Sequence, residues 1–392
     1  MEKPLMPSYQ RQPIAFVRGE GPYLWDEGGR RYLDALGGVA VCGLGHAHPA
    51  IAAALAEQAA RLIHTSNIFR IPLQEHLGAR LTALAGMDNA FFCNSGAEAN
   101  EAAIKIARLH GHACGIEVPR IVVMEGSFHG RTLATLSATG NRKIQLGFEP
   151  LVEGFLRVPY GDLPALAGLA GRTDIAAVLL EPIQGESGVN VPPAGYLRAV
   201  RELCDRQGWL MMLDEVQTGM CRTGRWFGFQ HEQATPDVMS LAKSLGNGMP
   251  IGACLARGRA AELIRPGSHG STFGGNLLAC RAALAVIETM KRDDIAAHAD
   301  SVGRFLMDRL RADLAAVPGV RDLRGRGLMI GIELERPCGE LVGEALAAGL
   351  LINVTAERVV RLLPPLILTQ EQAATVADTL VPIIRAFAGA AA

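Results

Sequence analysis

WLMMLDEVQTG at residues 209–219 and VMSLAKSLGNG at residues 238–248 decide the fold of this chain. Each stretch begins with a run of apolar residues and continues into a charged residue and a Gly-containing turn. A short apolar run of this kind is typical of a strand that is buried on both faces of a parallel sheet. Asp214 and Lys243 are therefore predicted at strand ends, where open α/β sheets bind their ligands.

Lys243 and Asp214 together form the pair of groups that pyridoxal phosphate requires. That cofactor needs a lysine amine to hold its aldehyde as a Schiff base and a carboxylate to keep its ring nitrogen protonated. Taken singly, Lys243 could be a solvated surface charge and Asp214 a helix cap or turn residue. Lys243, however, lies between apolar residues and a Gly-rich turn, where a charged amine is costly unless it is neutralised or bound as an imine.

Composition indicates a globular protein of enzyme size. The 392 residues are 49% hydrophobic and 20% charged, which allows a sizeable core and more than one domain. The net charge of -1, with acids and bases interspersed, favours neither nucleic acid nor a membrane surface as a partner. The eight Cys residues are scattered without a CxxC pair, and the first residues lack the apolar core of a signal peptide. We therefore expect a cytoplasmic location with reduced thiols.

Short apolar runs predict a mostly parallel central sheet flanked by helices, as in α/β proteins. These runs lie at residues 89–92, 121–124, 176–180, 209–213, 238–241 and 252–255. Gly-rich turns alternate with aromatic pieces over residues 19–32 and predict a small antiparallel sheet, and helical spacing begins at residue 51.

The pattern changes after Asn276. A long helix is predicted over residues 277–291, resuming over 295–315, before a Gly-rich strand region at 324–332. We therefore predict a large cofactor-binding domain over residues 50–276. The N-terminal segment 1–49 and the C-terminal part 277–392 are predicted to form a smaller α+β domain.

NSGAEAN at residues 94–100 follows the strand that ends at Phe92 and opens a helix. A helix N-terminus offers unpaired backbone N–H groups, Ser95 adds a hydroxyl and Gly96 allows close approach, so a phosphate would be stabilised there. The alternative interpretation is an ordinary N-cap.

Two further loops follow predicted strands. In GSFHGRT at residues 126–132, Phe128 could stack on a planar ring and Arg131 could clamp a carboxylate, although core packing and a surface ion pair are the alternatives. His129 is interpreted as a structural histidine. EPIQGESG at residues 181–188 offers two carboxylates, and the HGH at residues 110–112 lies at a helix end without a second cluster, so no metal site is expected.

These motifs resemble those of the class III, ornithine-type aminotransferases, which are fold-type I pyridoxal phosphate enzymes. The resemblance covers essentially the whole chain and is most specific over residues 213–224 and 240–252. It implies that Lys243 binds the cofactor and then moves a proton between substrate carbon and cofactor. The other cofactor contacts that it implies are Asp214 with the pyridinium, Gln217 with the ring oxygen, Phe128 and Val216 with the ring faces, and Ser95, Gly96 and Ala97 with the phosphate.

The resemblance also implies a homodimer with shared active sites. GSTFGGN at residues 270–276 matches a motif whose Thr reaches the phosphate in the neighbouring subunit, and here that residue is Thr272. Ser271 beside it is expected to contact the substrate. Leu277 departs from the family, which often has Pro there, and this questions the rigidity of the loop but not the Thr contact.

For the substrates, the resemblance implies that Arg131 binds a substrate carboxylate. Glu186 would mask Arg361 while the amine donor is bound and release it to hold 2-oxoglutarate in the second half-reaction. One pocket could then serve two substrates of different charge.

Within the class, residues 9–67 look most like acetylornithine aminotransferases. Ornithine aminotransferases carry a second pocket tyrosine where this chain has Val39, and loss of that hydroxyl favours a donor whose α-amine is acylated. The resemblance thus implies ping-pong transfer of the δ-amine of N2-acetylornithine to 2-oxoglutarate through pyridoxamine phosphate, a step of arginine biosynthesis.

Several alternatives stay open at this point. Within the class they are succinylornithine, succinyldiaminopimelate, ornithine and 4-aminobutyrate aminotransferases, and in another reaction class glutamate-1-semialdehyde aminomutase. A non-catalytic nucleotide-binding α/β module or a pseudoenzyme is disfavoured, because Asp214, Gln217 and Lys243 are all present and no GxGxxG opens the first predicted βα unit.

Overall fold

Three β-sheets and ten α-helices organise the chain in the computed structural model, which describes residues 4–389. Residues 1–3 and 390–392, the ends of the two predicted terminal segments, lie outside the described residues. The strands are β1 (Phe16–Glu20), β2 (Tyr23–Asp26), β3 (Arg31–Asp34), β4 (Asn89–Cys93), β5 (Arg120–Met124), β6 (Phe155–Val158), β7 (Ile175–Leu180), β8 (Leu210–Asp214), β9 (Val238–Leu241), β10 (Gly252–Ala256), β11 (Val320–Arg326), β12 (Met329–Leu334), β13 (Leu350–Leu351), β14 (Asn353–Thr355) and β15 (Val359–Leu362).

The central sheet has seven strands in the order β4-β10-β9-β8-β7-β5-β6. Its strand pairs are parallel except for those of β10, which runs antiparallel to β4 and β9. All six apolar runs predicted as strands lie in this sheet, and Asp214 is the last residue of β8 rather than the first of a loop. Sequence patterning missed β6 because this four-residue edge strand carries Arg157.

Both faces of the central sheet are apolar, which explains why its strands are continuously hydrophobic. Along β7, Ala177 and Leu179 belong to one apolar cluster, and Val178 and Leu180 belong to the other. Successive side chains of a strand point to opposite faces, so a sheet covered on both sides needs apolar residues at every position.

Helices cover this sheet and form much of the C-terminal part. They are α1 (Pro49–Arg61), α2 (Pro72–Ala85), α3 (Gly96–Ala113), α4 (Leu133–Ala138), α5 (Leu163–Ala167), α6 (Tyr196–Gln207), α7 (Leu277–Arg292), α8 (Ile295–Leu314), α9 (Leu341–Ala347) and α10 (Gln370–Gly389). The predicted helices at 277–291 and 295–315 are thus confirmed as α7 and α8 to within one residue at each end. No helix over residues 4–389 combines the length and the apolar character that crossing a membrane would require.

Two smaller sheets stand beside the central one. The predicted antiparallel sheet near the N-terminus is confirmed as β1-β2-β3, and β13 from the C-terminal part adds to β3 in parallel. The second small sheet has the order β11-β12-β15-β14. The Gly-rich region at 324–332 is a hairpin of two strands rather than one, because Gly327 turns the chain with a φ of 53°. The domain boundaries at residues 49 and 276 stay a prediction.

A single left-handed turn, Gly37–Ala40, leads from β3 toward the ligand-binding edge of the central sheet. Its four residues have φ angles of 58 to 64°. Left-handed backbone is strained for a β-branched residue such as Val39, so the surroundings must hold the turn in place. Ser244 Oγ donates to the Ala40 carbonyl at 2.8 Å and thus ties the turn to the residue after Lys243.

Candidate active site

A cavity of about 400 Å³ opens at the edge of the central sheet where β4, β5, β7, β8 and β9 end. Ten of the residues predicted from the sequence line it, namely Ser95, Gly96, Ala97, Phe128, Arg131, Glu186, Asp214, Val216, Gln217 and Lys243. Residues that lie far apart in the chain therefore meet at one place, as the ends of parallel strands allow. Arg361, Ser271 and Thr272 do not line the cavity.

Asp214 is buried at the end of β8, and donors satisfy both of its carboxylate oxygens. Oδ2 accepts from Asn100 Nδ2 at 2.7 Å and bonds to His129 Nδ1 at 2.8 Å, while Oδ1 accepts from the Val216 amide at 3.0 Å. Ser240 Oγ in turn donates to Asn100 Oδ1 at 2.6 Å. A buried carboxylate is tolerated only with such partners, and this network supplies them to both oxygens of Asp214.

His129 and Asn100 are functional neighbours that sequence reasoning did not assign. His129 was interpreted only as a structural histidine, but its imidazole contacts Asp214 directly, and its Nε2 is buried without a partner in the described residues. Asn100 lies on the buried face of α3, one turn after Gly96. The signal available in the sequence was a polar amide among the Ala and Ile residues of an otherwise apolar helix face.

Lys243 begins the turn that follows β9, with a φ of 48°. Desolvation by burial lowers the pKa of its amine, and Arg361 acts in the same direction against the opposing effects of Glu186 and Asp214. Within residues 4–389, no carboxylate lies within ion-pair distance of Lys243. A lysine with a lowered pKa and no ion-pair partner can supply the neutral amine that an aldehyde requires.

The N-terminus of α3 forms one wall of the cavity. Ser95 is its N-cap and accepts from the Glu98 amide at 3.2 Å, so the N-cap interpretation is confirmed alongside the position at the cavity. A Cβ on Gly96 would lie 2.8 Å from Val216 Cγ1, which shows how closely the backbone of the helix approaches the opposite wall. The free N–H groups of this first turn make a suitable anion site.

Glu181 is a buried carboxyl group that joins two loops of the cavity. Its Oε1 accepts from the Phe128 amide at 3.0 Å and its Oε2 from the Gly185 amide at 3.1 Å. Burial raises the pKa of Glu181 to about 7. Glu181 therefore orients the loop of Phe128 and the loop of Glu186 relative to each other.

Glu186 and Arg361 form an ion pair behind the cavity wall. Arg361 Nη1 donates to Glu186 Oε1 at 2.7 Å, and the guanidinium is buried while Glu186 is 34% exposed. Burial of Glu186 opposes its charge, but the Arg361 guanidinium outweighs this effect and lowers the pKa of Glu186. Gln217 lies between the two groups, 3.4 Å from each. The ion pair of Glu186 with Arg361 that the sequence predicts is thus present, and its Arg361 side chain is buried.

Ser271 and Thr272 lie on a loop outside the cavity of their own chain. Ser271 Oγ accepts from the Gly274 amide at 3.0 Å and from Asn94 Nδ2 at 3.3 Å, so within this chain it holds the loop together. Thr272 is exposed. The contact of Ser271 with the substrate stays a prediction. The contact of Thr272 with the cofactor phosphate of a neighbouring subunit also stays a prediction.

Val39, to which the sequence argument gave a role in substrate choice, packs beside Ile183, Val189 and Met329. It does not line the cavity, whereas Val41 does. The left-handed turn explains the difference, because it rotates Val39 toward the apolar cluster and brings Val41 to the site.

The residues of the cavity fit pyridoxal phosphate. They combine a lysine with a lowered pKa, a buried carboxylate with three donors, an aromatic ring at Phe128 and a helix N-terminus beside a glycine. Each group matches one part of the cofactor, respectively the aldehyde, the ring nitrogen, the ring face and the phosphate. By contrast, within residues 4–389 no group of three or more His, Cys, Asp or Glu residues could hold a metal ion.

Residues 6–384 match the family described as Aminotransferase class-III, and the chain belongs to this family of pyridoxal phosphate-dependent transaminases. Its fold is that of the fold-type I enzymes. The acetylornithine aminotransferase of Nitrosomonas europaea is 56% identical over 384 residues, which cover 98% of each chain. The ornithine aminotransferase of Toxoplasma gondii superimposes with a TM-score of 0.95 at 34% identity, covering 98% of this chain and 93% of that one. The acetylornithine aminotransferase of Elizabethkingia anophelis gives a TM-score of 0.88 at 36% identity, covering 97% and 96%.

Proposed function

We propose that this enzyme transfers the δ-amino group of N2-acetyl-L-ornithine to 2-oxoglutarate. The products are N-acetyl-L-glutamate 5-semialdehyde and L-glutamate, and the reaction belongs to arginine biosynthesis. The observation that carries the proposal is the similarity to acetylornithine aminotransferases at 54–56% identity over 98 to 99% of this chain. Sequence similarity of this extent supports a shared substrate more strongly than a shared fold does.

The cofactor and Lys243 have separate roles in the proposed reaction. When bound, pyridoxal phosphate supplies an electron sink for the substrate carbon that loses its proton. Lys243 Nζ takes that proton and returns it, for which its lowered pKa is suited, because a general base works best with a pKa near the working pH. Asp214 would pair with the ring nitrogen of the bound cofactor, and His129 and Asn100 hold the Asp214 carboxylate in place.

Arg131 is the proposed ligand of the donor carboxylate. It is exposed at the mouth of the cavity, its guanidinium carbon lies 5.7 Å from the centre of the Phe128 ring, and it has no carboxylate partner in the described residues. A guanidinium can bind a carboxylate through two parallel hydrogen bonds, which orients the substrate along the cavity.

Arg361 is the proposed ligand of a carboxylate of 2-oxoglutarate. In the donor half-reaction, Glu186 neutralises Arg361, so this wall presents no free cation to a donor whose single carboxylate binds Arg131. In the second half-reaction, the partly exposed Glu186 yields its place to the substrate carboxylate. The ion pair costs little to exchange because one carboxylate replaces another.

We further propose a homodimer with active sites shared across the interface. Exposed apolar side chains lie on the segment at residues 62–69 and beside Thr272, namely Leu62, Ile63, Ile68, Phe69 and Phe273, which are 44 to 81% exposed. Asn67 ties the two segments together, since its Nδ2 donates to the carbonyls of Ser271 and Gly274. Exposed apolar residues on two joined segments are typical of an interaction site, and a second copy of this chain would place Thr272 at the phosphate of its neighbour.

Steady-state kinetics test the substrate. We expect kcat/KM for acetylornithine with 2-oxoglutarate to exceed the values for ornithine and 4-aminobutyrate, with glutamate as a product in stoichiometric amount. Parallel assays with succinylornithine and succinyldiaminopimelate determine whether the acetyl group is preferred. Absence of glutamate together with isomerisation of glutamate 1-semialdehyde would replace this proposal by the aminomutase.

A further inference from the structure

Asn353 contacts the buried side of the Arg361 guanidinium. The two residues face each other on the neighbouring strands β14 and β15, where their Cα atoms are in register. Arg361 Nε donates to Asn353 Oδ1 at 2.9 Å, while Asn353 Nδ2 lies 3.3 Å from the Val354 carbonyl oxygen. The amide is therefore oriented with its oxygen toward the guanidinium.

The hydrogen bonds of Arg361 divide its guanidinium into two edges. Nε is held by the neutral amide of Asn353, whereas Nη1 is held by the anionic Glu186 at 2.7 Å and by Gln217 at 3.4 Å. Only the Nη edge has a charged partner that a substrate carboxylate can replace. Binding of that carboxylate would therefore occur end-on, through Nη1 and Nη2.

A neutral acceptor at position 353 matters because Arg361 is 1% exposed. An apolar residue there would leave a buried Nε–H without a partner and free the guanidinium plane to rotate. A carboxylate there would pair with Arg361 permanently and compete with every exchangeable anion. The neutral amide of Asn353 holds the plane without neutralising the charge.

We infer that Asn353 is a positioning residue for the dicarboxylate half-reaction, in which its amide oxygen keeps Arg361 oriented after Glu186 has released the Nη edge. The inference rests on the proposed use of Arg361 for 2-oxoglutarate. Asn353 would thus contribute to the recognition of 2-oxoglutarate rather than of the amine donor.

Two variants of the complete enzyme test the role of Asn353. In Asn353→Ala, we expect KM for 2-oxoglutarate to rise about tenfold, while KM for acetylornithine changes less than twofold, because a hydrogen bond to a buried charge is lost. In Asn353→Asp, which has the same shape, we expect a larger rise in KM for 2-oxoglutarate, because the new carboxylate competes for Arg361. Asn89→Ala is the matched control. Asn89 is the first residue of β4, at the end away from the cavity, and its side-chain amide also makes one hydrogen bond, to the Ala261 carbonyl.

A binding measurement tests the orientation of Arg361 separately from catalytic turnover. Calorimetric titration with glutarate, an unreactive dicarboxylate, is expected to show weaker binding in both Asn353 variants and unchanged binding in Asn89→Ala. Equal increases in KM for both substrates, or unchanged glutarate binding, would overturn the inference. If the unmodified enzyme does not transaminate acetylornithine, the proposed function fails, and the glutarate titration still decides the role of Asn353.

Discussion

Asp214 and Lys243 lie in different surroundings within the cavity, and these surroundings suit the two side chains to different roles. Asp214 is buried and remains a suitable carboxylate because Asn100, His129 and a backbone amide bind it. Lys243 is held without an ion-pair partner in the described residues, and burial lowers the pKa of its amine. Neighbouring groups with such different surroundings are typical of catalytic sites.

Replacement of Lys243 tests its catalytic role. We expect Lys243→Ala to fold and to bind pyridoxal phosphate non-covalently, but to turn over at least about 10³-fold more slowly, because the group that moves the proton is gone. Circular dichroism checks the fold, equilibrium dialysis the cofactor binding, and single-turnover kinetics the loss of activity. Lys291→Ala, in the last turn of α7, is the control with full activity. Retention of more than a tenth of wild-type activity in Lys243→Ala would contradict the assignment.

At the scale of secondary-structure elements, close backbone approaches position the site. Gly252 on β10 lies against β4, where an added Cβ would be 2.3 Å from the Ser95 carbonyl oxygen and 2.8 Å from Cys93 Sγ. Ser95 in turn caps α3, whose first turn lines the cavity. The packing of two strands thus sets the position of the proposed phosphate site.

Substitution of Gly252 should therefore affect both stability and cofactor retention. We expect Gly252→Ala to lower the free energy of unfolding by about 1–3 kcal/mol, since overpacking must displace the Ser95 backbone. We also expect it to weaken pyridoxal phosphate binding, measured by equilibrium dialysis. Gly343→Ala is the matched control, because Gly343 lies in α9 with no atom within 4 Å of an added Cβ, and it should be neutral or slightly stabilising. Equal effects of both substitutions would refute the argument.

A second element-scale contact connects β3 to the segment after the left-handed turn. His46 Nε2 lies 2.8 Å from Asp34 Oδ2, and Asp34 Oδ1 also accepts from the amides of Leu36 and Gly37. Burial opposes protonation of the imidazole, but hydrogen bonds to Asp34 and Cys42 outweigh it and raise the pKa of His46 from 6.5 to about 9. The protonated imidazole therefore stabilises the folded state.

The sign of the pH dependence follows from this raised pKa. The contribution of His46 is fully present below pH 6.5, the unfolded value, and is lost as the pH rises through about 9. We expect urea unfolding to show that His46→Gln is less stable than wild type by about 2–3 kcal/mol near pH 6, and that the difference shrinks toward pH 10. A difference that stays constant over this range would show that the pair does not titrate as expected.

At the scale of the whole molecule, the C-terminal part packs closely on the central sheet. Arg222, from the motif at residues 213–224, is fully buried, and its Nη1 donates to the carbonyls of Leu328 at 2.9 Å and Pro364 at 2.6 Å. Burial lowers the pKa of Arg222 to about 9. This residue joins the end of the central sheet to the hairpin of β11 and β12 and to the residues after β15.

The proposed dimer makes a prediction about hybrid enzymes. If Thr272 serves the neighbouring subunit, a hybrid of one Lys243→Ala subunit and one Thr272→Ala subunit contains one intact site and one doubly impaired site. We therefore expect mixed and re-purified hybrids to recover about half of the wild-type activity per dimer, although each parent is impaired. Differently tagged subunits and sedimentation analysis identify the hybrid. If the hybrid has no more activity than the average of its parents, Thr272 acts within its own chain.

The amino-acid sequence by itself predicted the central sheet, the long helices and the positions of Asp214 and Lys243. Apolar runs of fixed period predict strands, and a charge directly after such a run stands out because burial makes it costly. The resemblance of the motifs to class III aminotransferases predicted the pairing of Glu186 with Arg361, which the structure contains.

Only the tertiary structure decided which residues surround these groups. His129 and Asn100 reach Asp214 from different elements, Asn353 reaches Arg361 across a strand pair, and a left-handed turn exchanges Val39 for Val41 at the cavity. Contacts of this kind depend on the twist and register of strands and on the φ angles of single residues, and neither leaves a periodic signal in the sequence. The local pattern thus determines the elements and the reactive groups, whereas packing between distant segments determines their charge, orientation and substrate.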